Sequence, residues 1–220
     1  MRPASWLVSL LFGTSIGLLI LLAGPLLLFN PWFVSALQAR HDVAEAFDTS
    51  QVEIDRVTGQ VLADLFTSGD FTVELDGRPL LDEAERSHMA DVSRLVRLLV
   101  IVGVAAVIGA AACGTLMRGQ ARRMATVLLV TSAVIGGAGL ALAAIFAVAF
   151  EPAFLAFHTV FFPPGTYLFE PGSTLVTLFP EGFWFDSALM AGLTVVLSAL
   201  VVLAIGIAGR RRPPATLAAG

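Results

Sequence analysis

The sequence predicts an all-α integral membrane protein with four transmembrane helices, a small cap outside the membrane and an interfacial aromatic loop. Hydrophobic residues make up 57% of the 220-residue chain, whereas soluble domains contain about 45–50%. Four segments free of charged residues, 4–39, 98–117, 124–150 and 187–209, each contain the ~20 apolar residues that cross a bilayer. We place the spans at residues 7–29, 95–117, 124–150 and 187–209 of a single domain, 1–220.

Charged residues are divided unevenly among the segments that connect the spans. All thirteen basic residues are arginine, and seven of them lie at the two termini and between spans two and three: Arg2, Arg118, Arg122, Arg123, Arg210, Arg211 and Arg212. All seventeen acidic residues lie in the two remaining connections, residues 30–94 and 151–186. Because arginine-rich span ends are retained in the cytoplasm, we expect both termini inside and both long loops outside.

The first outer loop, residues 30–94, contains the signals of a small folded cap. We expect Asn30-Pro31-Trp32-Phe33 to end span one, with its tryptophan at the interface. A capping box at residues 50–53 predicts a helix from about Gln51. Alternating apolar residues predict a short strand over 71–75, ended by Asp76-Gly77, and the acidic run at 82–85 predicts a helix continuous with span two.

The second outer loop, residues 151–186, contains no Arg or Lys but ten aromatic residues. Because aromatic side chains are favoured where membrane and water meet, we expect this loop to lie in the headgroup layer. Pro152 permits a short helix that runs to Phe162, and Pro163-Pro164-Gly165 ends it. His158 lies on this predicted interfacial helix.

The residues that offer acid–base chemistry are the three histidines, His41, His88 and His158. The sequence contains no glycine-rich phosphate loop, serine elbow or H-E-x-x-H motif, and its single Cys113 allows no intrachain disulfide. His88 and His158 flank spans on the expected outer side. Asp91 follows His88 by one helical turn, from where a carboxylate can orient an imidazole. A histidine in this setting can act as a general acid or base.

Other interpretations of these residues remain open from the pattern alone. An interfacial histidine commonly serves as an amphipathic anchor, and two facing imidazoles can ligate a b-type haem. His88, Asp91 and His158 are zinc-ligand types, although they lack the compact spacing of a zinc motif. We expect His41, in a surface loop, to have no special role.

Two blocks of sequence resemble a known family. They are HMADV at residues 88–92 and FHTVFF followed by YLFEPGSTLVTLFPEGFWFD within residues 157–186. With four spans and two outer loops, they resemble the small bacterial membrane proteins that include the lipoprotein intramolecular transacylase (Lit). The resemblance implies a diacylglyceryl lipoprotein substrate in the cytoplasmic membrane, whose sn-2 acyl chain moves to the α-amine of the N-terminal cysteine. It also implies that the two catalytic histidines are His88 and His158.

The resemblance leads to a division of roles among the candidate residues. We expect His158 to take the proton of the amine and His88, oriented by Asp91, to donate to the oxyanion or leaving oxygen. Three residues are expected to contact the substrate: Tyr167, Glu85 and Trp184. We expect no cofactor or metal, and we expect lipoprotein and membrane lipid, but no nucleic acid, as partners. The alternative is a non-catalytic membrane protein that binds a lipid or a partner through its cap.

Overall fold

The computed structural model describes residues 3–67 and 69–211, so that Arg2 and Arg212, two of the expected cytoplasmic arginines, lie outside the described residues. Nine α-helices, one 3-10 helix at Pro25–Phe29 and one strand pair are present in these ranges. In chain order they are α1 (Pro3–Ala23), α2 (Pro31–Arg40), α3 (Val43–Ala46), α4 (Gln51–Asp64), β1 (Glu74–Leu75), β2 (Arg78–Pro79), α5 (Glu83–Leu116), α6 (Ala121–Val148), α7 (Phe150–Phe161), α8 (Thr174–Leu178) and α9 (Glu181–Arg211).

Four of the described helices, α1, α5, α6 and α9, are long and apolar enough to cross a membrane. The predicted all-α membrane fold with four spans is therefore confirmed. Helix α5 has 34 residues, more than the ~20 that a bilayer requires. Its charge-free part begins at Leu98, so its first turns, which contain His88, precede the segment that crosses the membrane.

The chain between span one and the first loop differs from the expectation. Helix α1 ends at Ala23, because Pro25 cannot donate the hydrogen bond that would continue it, and a 3-10 helix follows. Residues 30–33, which we expected to end span one, begin helix α2 instead. The side chain of Asn30 accepts hydrogen bonds from the backbone N–H groups of Trp32 and Phe33 at 3.0 and 3.3 Å, as an N-cap does.

The predicted elements of the first loop are mostly confirmed. Helix α4 begins at Gln51, and the Ser50 hydroxyl accepts a hydrogen bond from the N–H of Glu53 at 3.3 Å. Helix α5 runs without a break from Glu83, as predicted. The predicted strand over 71–75 is wrong in extent, since only its last two residues pair. Phe71 has a positive φ of 49°, so the backbone turns where the alternation suggested an extended chain.

The described chain forms two compact units. The first contains the described parts of Met1–Ala23, Val102–Ala141 and Leu193–Gly220, and the second contains Gly24–Ile101 and Leu142–Gly192. Close helix contact holds the first unit together. A Cβ atom at Gly13 of α1 would lie 3.0 Å from the Thr131 hydroxyl of α6, so glycine permits this approach.

The second unit has a core like that of a soluble domain. Seventeen buried apolar residues form one cluster, and all of them except Val96, at the start of span two, come from the two outer loops. Within it, the Gln38 side-chain amide donates hydrogen bonds to the Thr58 hydroxyl at 3.0 Å and to the Leu178 carbonyl at 3.1 Å. These bonds link α2 to α4 and to the end of α8. The second outer loop is thereby held against the first, and this arrangement positions the histidines.

Candidate active site

His88 of α5 and His158 of α7 lie together in the second unit. Their ring centroids are 6.0 Å apart, and the ring planes differ by 25°. We call these two residues the histidine pair. The two imidazoles lie side by side, with the rings stacked and no hydrogen bond between them. That they form one catalytic site stays a prediction.

Aromatic rings surround the histidine pair. Phe162 and Phe169 lie 4.9 and 5.5 Å from the ring of His88, measured between centroids. Phe154, Phe157, Phe162 and Tyr167 lie between 4.2 and 5.4 Å from the ring of His158. We call these five residues the aromatic enclosure. It limits the access of water to both imidazoles.

His88 is held as a neutral imidazole. Its side chain is buried, and its Nδ1 atom has no hydrogen-bond partner among the described residues. Burial, which removes water from the charged form, and to a smaller extent the positive charge that His158 can carry, lower the pKa of His88 to about 4. The ring is therefore uncharged at neutral pH.

His158 is half-buried and has one ring nitrogen occupied. Its Nδ1 atom lies 2.8 Å from the backbone carbonyl oxygen of Phe154, one turn earlier on α7. A carbonyl oxygen only accepts, so Nδ1 carries the hydrogen and Nε2 holds the free lone pair. Burial lowers the pKa of His158, and the hydrogen bond to Phe154 partly opposes this shift. A neutral histidine in this tautomer is ready to accept a proton at Nε2.

The two acidic candidates have partners other than the histidine pair. Asp91 forms an ion pair with Arg94, one turn further along α5, and the described residues show no hydrogen bond from Asp91 to His88. Glu85 is 1% exposed, and its two carboxylate oxygens accept the N–H groups of Leu175 at 2.7 Å and Asp82 at 2.9 Å. The carboxylate of Glu85 therefore joins the start of α8 to the start of α5.

Of the two remaining candidates, one lies beside the histidine pair. The ring of Tyr167 is 5.3 Å from that of His158, and its hydroxyl is 3.3 Å from the Thr159 hydroxyl. Trp184 packs on Phe154 with a centroid distance of 6.0 Å and on the core residue Phe183. Tyr167 thus borders the histidine pair, whereas Trp184 packs behind Phe154, on the side away from the pair.

His41 has a separate environment in the same unit. Its Nε2 atom is 3.0 Å from the Asp186 carboxylate, which also accepts from Arg40 at 3.1 Å. The described residues contain no cluster of three or more His, Cys, Asp or Glu side chains that could hold a metal ion. The combination of His88, Asp91 and His158 considered as a zinc site is therefore not assembled.

Sequence reasoning missed the phenylalanines that enclose the histidine pair. A signal for two of them was present, because Phe154 and Phe162 lie one helical turn before and after His158, where side chains share a face. No local signal marked Phe169, which reaches His88 from beyond the Pro163-Pro164-Gly165 break. Its position depends on the path of the second loop.

Comparison with known proteins gives the family of this chain. The family model described as "Lipoprotein intramolecular transacylase Lit" matches residues 9–184. An uncharacterized protein of Aquifex aeolicus (strain VF5) is 36% identical over 62 residues, which span 28% of this chain and 29% of that protein.

Solved structures share the fold. The lipoprotein intramolecular transacylase Lit of Bacillus cereus superposes with a TM-score of 0.80 at 18% identity, covering 95% of this chain and 97% of that one. A variant of that protein, in which a histidine is replaced by arginine, gives a TM-score of 0.76 at 20% identity, covering 94% and 92%. The family match extends over most of the sequence and both histidines of the pair. The chain belongs to the lipoprotein intramolecular transacylase Lit family.

Proposed function

We propose that this protein moves the sn-2 acyl chain of a diacylglyceryl lipoprotein from its glycerol ester to the α-amine of the N-terminal cysteine. The observation that carries the proposal is the histidine pair, two neutral imidazoles 6.0 Å apart within an aromatic enclosure. Family membership supplies the substrate class. The product is an N-acyl lipoprotein that retains one acyl chain on the glycerol.

His158 acts as the general base. An α-amine has a pKa of about 8, so a substantial part is protonated at neutral pH, and that first proton passes to the solvent before the amine can attack. The neutral amine must then lose a second proton as it attacks, because the product is an amide. With Nδ1 bonded to the Phe154 carbonyl, Nε2 of His158 accepts a proton as the amine nitrogen bonds to the ester carbonyl carbon. The protonated His158 then returns this proton to the glycerol oxygen as the ester bond breaks.

His88 stabilises the charge that develops on the ester carbonyl oxygen. A buried neutral imidazole donates through one ring nitrogen and remains uncharged, which matches its lowered pKa. Because the aromatic enclosure restricts water, a hydrogen bond to the oxyanion is worth more than it would be in solution. His88 therefore needs to donate a hydrogen bond to the oxyanion but does not need to give up its proton.

The reaction needs no covalent enzyme intermediate. Amine and ester belong to one molecule, and well-oriented intramolecular reactions reach effective molarities of about 10⁵ M or more. One C–N bond forms, one C–O bond breaks, and a single proton passes from nitrogen to oxygen through His158. The aromatic enclosure is suited to hold the amine and the ester of the substrate close together.

The arginine distribution supports an orientation for this chemistry in the bacterial cytoplasmic membrane. Both termini and the link between α5 and α6 lie in the cytoplasm, with Arg118, Arg122 and Arg123 on that link. The histidine pair then lies on the extracytoplasmic side, where the N-termini of mature lipoproteins are anchored. Reporter fusions at the α5–α6 link test this, since a reporter active only outside the cytoplasm must stay silent there.

Expression in a bacterial strain whose lipoproteins carry two ester-linked acyl chains and a free amine tests the proposal. Because transacylation is an isomerisation, the intact mass of the lipopeptide is unchanged. Fragmentation of the N-terminal lipopeptide is expected to show an N-acyl group and one remaining ester chain. If the amine stays free in cells that contain the folded protein, the transacylase proposal fails in favour of a non-catalytic lipid- or partner-binding role.

A further inference from the structure

A polar groove in the second unit is separate from the contacts of the histidine pair. It has a volume of about 590 Å³ and is lined by Phe47, by Thr174 and by the hairpin of β1 and β2. This volume lies within the range of about 300–1,000 Å³ that is usual for ligand sites. The mechanism proposed for the histidine pair assigns no role to it.

The groove presents polar side chains that have no hydrogen-bonding partner in the protein. The side chain of Arg78 forms no hydrogen bond or ion pair with another residue in the described ranges, and the side chains of Asp76 and Thr174 form no hydrogen bond there. The three side chains offer a guanidinium donor, a carboxylate acceptor and a hydroxyl that does both. A set of charged and hydrogen-bonding side chains is poorly matched to an acyl chain, which is apolar.

The hairpin fixes the backbone that carries Asp76 and Arg78. Asp76 and Gly77 have positive φ angles of 52° and 72°, which form the tight two-residue turn between β1 and β2. The Arg56 guanidinium donates to the Glu74 carbonyl at 2.7 Å and so attaches the hairpin to α4. A ligand therefore meets a preformed backbone, so that only the side chains on it are ordered when it binds.

The groove connects to the histidine pair through α8. Thr174, in the groove wall, is followed by Leu175, whose N–H donates to the Glu85 carboxylate at 2.7 Å. Glu85 lies one turn before His88 on α5. The wall of the groove and the histidine pair are thus linked by one hydrogen bond and one turn of helix.

We propose that this groove binds the polypeptide segment that follows the modified cysteine of the lipoprotein. This inference rests on the proposed function, because that substrate has three parts: acyl chains, a glycerol ester and a polypeptide. The aromatic enclosure suits the first two. An extended polypeptide presents N–H donors and C=O acceptors at every residue, and Arg78, Asp76 and Thr174 supply the complementary partners.

Two ligands separate the contribution of the peptide from that of the lipid. The first is a synthetic diacylglyceryl lipopeptide with ten residues after the cysteine, and the second is diacylglyceryl cysteine amide. Their Kd values and N-acylation rates are measured with the full-length protein in detergent. Arg78→Gln and Asp76→Asn are the test variants, and asparagine also tolerates the positive φ of position 76. Arg86→Gln, on α5 outside the groove, is the matched control.

The wild-type protein is expected to bind the lipopeptide more tightly than the amide. Each test variant raises the Kd of the lipopeptide about three- to tenfold, the size expected when a charge-assisted hydrogen bond becomes a neutral one, and leaves that of the amide unchanged. Equal wild-type Kd values for the two ligands, or variant effects that are absent or identical for both, overturn the groove assignment. If wild-type protein N-acylates neither ligand, the proposed function fails, while the Kd comparison still decides what the groove binds.

Discussion

The second unit contains buried or half-buried histidines in two regions, one with His41 and one with the histidine pair, and the side chains around them differ. His41 is bonded to the carboxylate of Asp186, which Arg40 also contacts. His88 and His158 have aromatic rings around them, and among the described residues neither forms a hydrogen bond or an ion pair with a carboxylate. A histidine bonded to a carboxylate has that ring nitrogen occupied by a structural contact. A histidine among rings without an ionic partner stays neutral and keeps a nitrogen available for chemistry.

The comparison of His41 with the histidine pair predicts the largest effect on activity when either imidazole of the pair is removed. His88→Ala and His158→Ala should each lower kcat for N-acylation about 10²–10⁴-fold, the usual contribution of general acid–base groups. His41→Ala should lower kcat less than tenfold, because it removes only a partly exposed contact with the Asp186 carboxylate, away from the histidine pair. The rates are measured by mass spectrometry on purified variants with matching thermal unfolding. Loss of activity in a folded His41→Ala protein, with both other variants active, would reverse the assignment.

The next effect concerns the buried carboxylate that joins α5 to α8. Glu85→Ala leaves the N–H groups of Leu175 and Asp82 without their acceptor. Unsatisfied buried donors cost about 1–3 kcal/mol each, so the free energy of unfolding should fall by roughly 2–6 kcal/mol. Glu83→Ala, in the same turn of α5 but exposed, is the control and should change stability by less than about 0.5 kcal/mol. Equal decreases in unfolding temperature for the two variants would refute the role of Glu85 as the acceptor for both N–H groups.

The neutral state of the histidine pair predicts a dependence of stability on pH. Folding lowers the pKa of His88 from 6.5 to about 4, so between these values the unfolded chain binds more protons than the folded chain. Stability should therefore be complete above pH 6.5 and decline as the pH falls toward 4, by up to about 3 kcal/mol. His158, whose pKa is also lowered, contributes in the same direction.

Replacement of His88 by phenylalanine isolates this effect. The introduced side chain would be surrounded by the same rings of Phe162 and Phe169, but it cannot bind a proton. The His88→Phe protein is expected to show a smaller loss of thermal stability between about pH 7 and pH 5 than the wild type. An identical loss in both proteins would show that other groups cause the acid sensitivity.

Local signals in the sequence predicted local structure well. The capping box at Ser50 and the acidic start of α5 depend on neighbours within one helical turn, and both predictions are confirmed. The role of Asn30 was misjudged although its signal was local, because an apolar run that continues past Pro25 hid the start of a second helix. Where no other signal competed with it, the residue pattern alone predicted the start of a helix correctly.

The site depended on contacts between distant parts of the chain. Residue spacing could not place His158 beside His88, and the family resemblance supplied that pairing. The hydrogen bond from Leu175 to Glu85 joins residues from different loops, and the sequence around Glu85 indicated only a helix start. Long-range contacts of this kind depend on how the core of the second unit packs. That packing is not determined by the sequence of any single segment.

The smallest expected effect tests whether a carboxylate assists His88 after all. Asp91 forms an ion pair with the exposed Arg94, so Asp91→Asn should change kcat less than about threefold, and Arg94→Gln should behave alike. The pH–rate profile of each variant is measured beside the wild type. A tenfold fall in kcat for Asp91→Asn alone, with unchanged unfolding and a shifted profile, would mean that Asp91 orients His88 when substrate is bound. The contrast between His41, which is bonded to a carboxylate, and His88 in a purely aromatic environment would then hold only for the free enzyme.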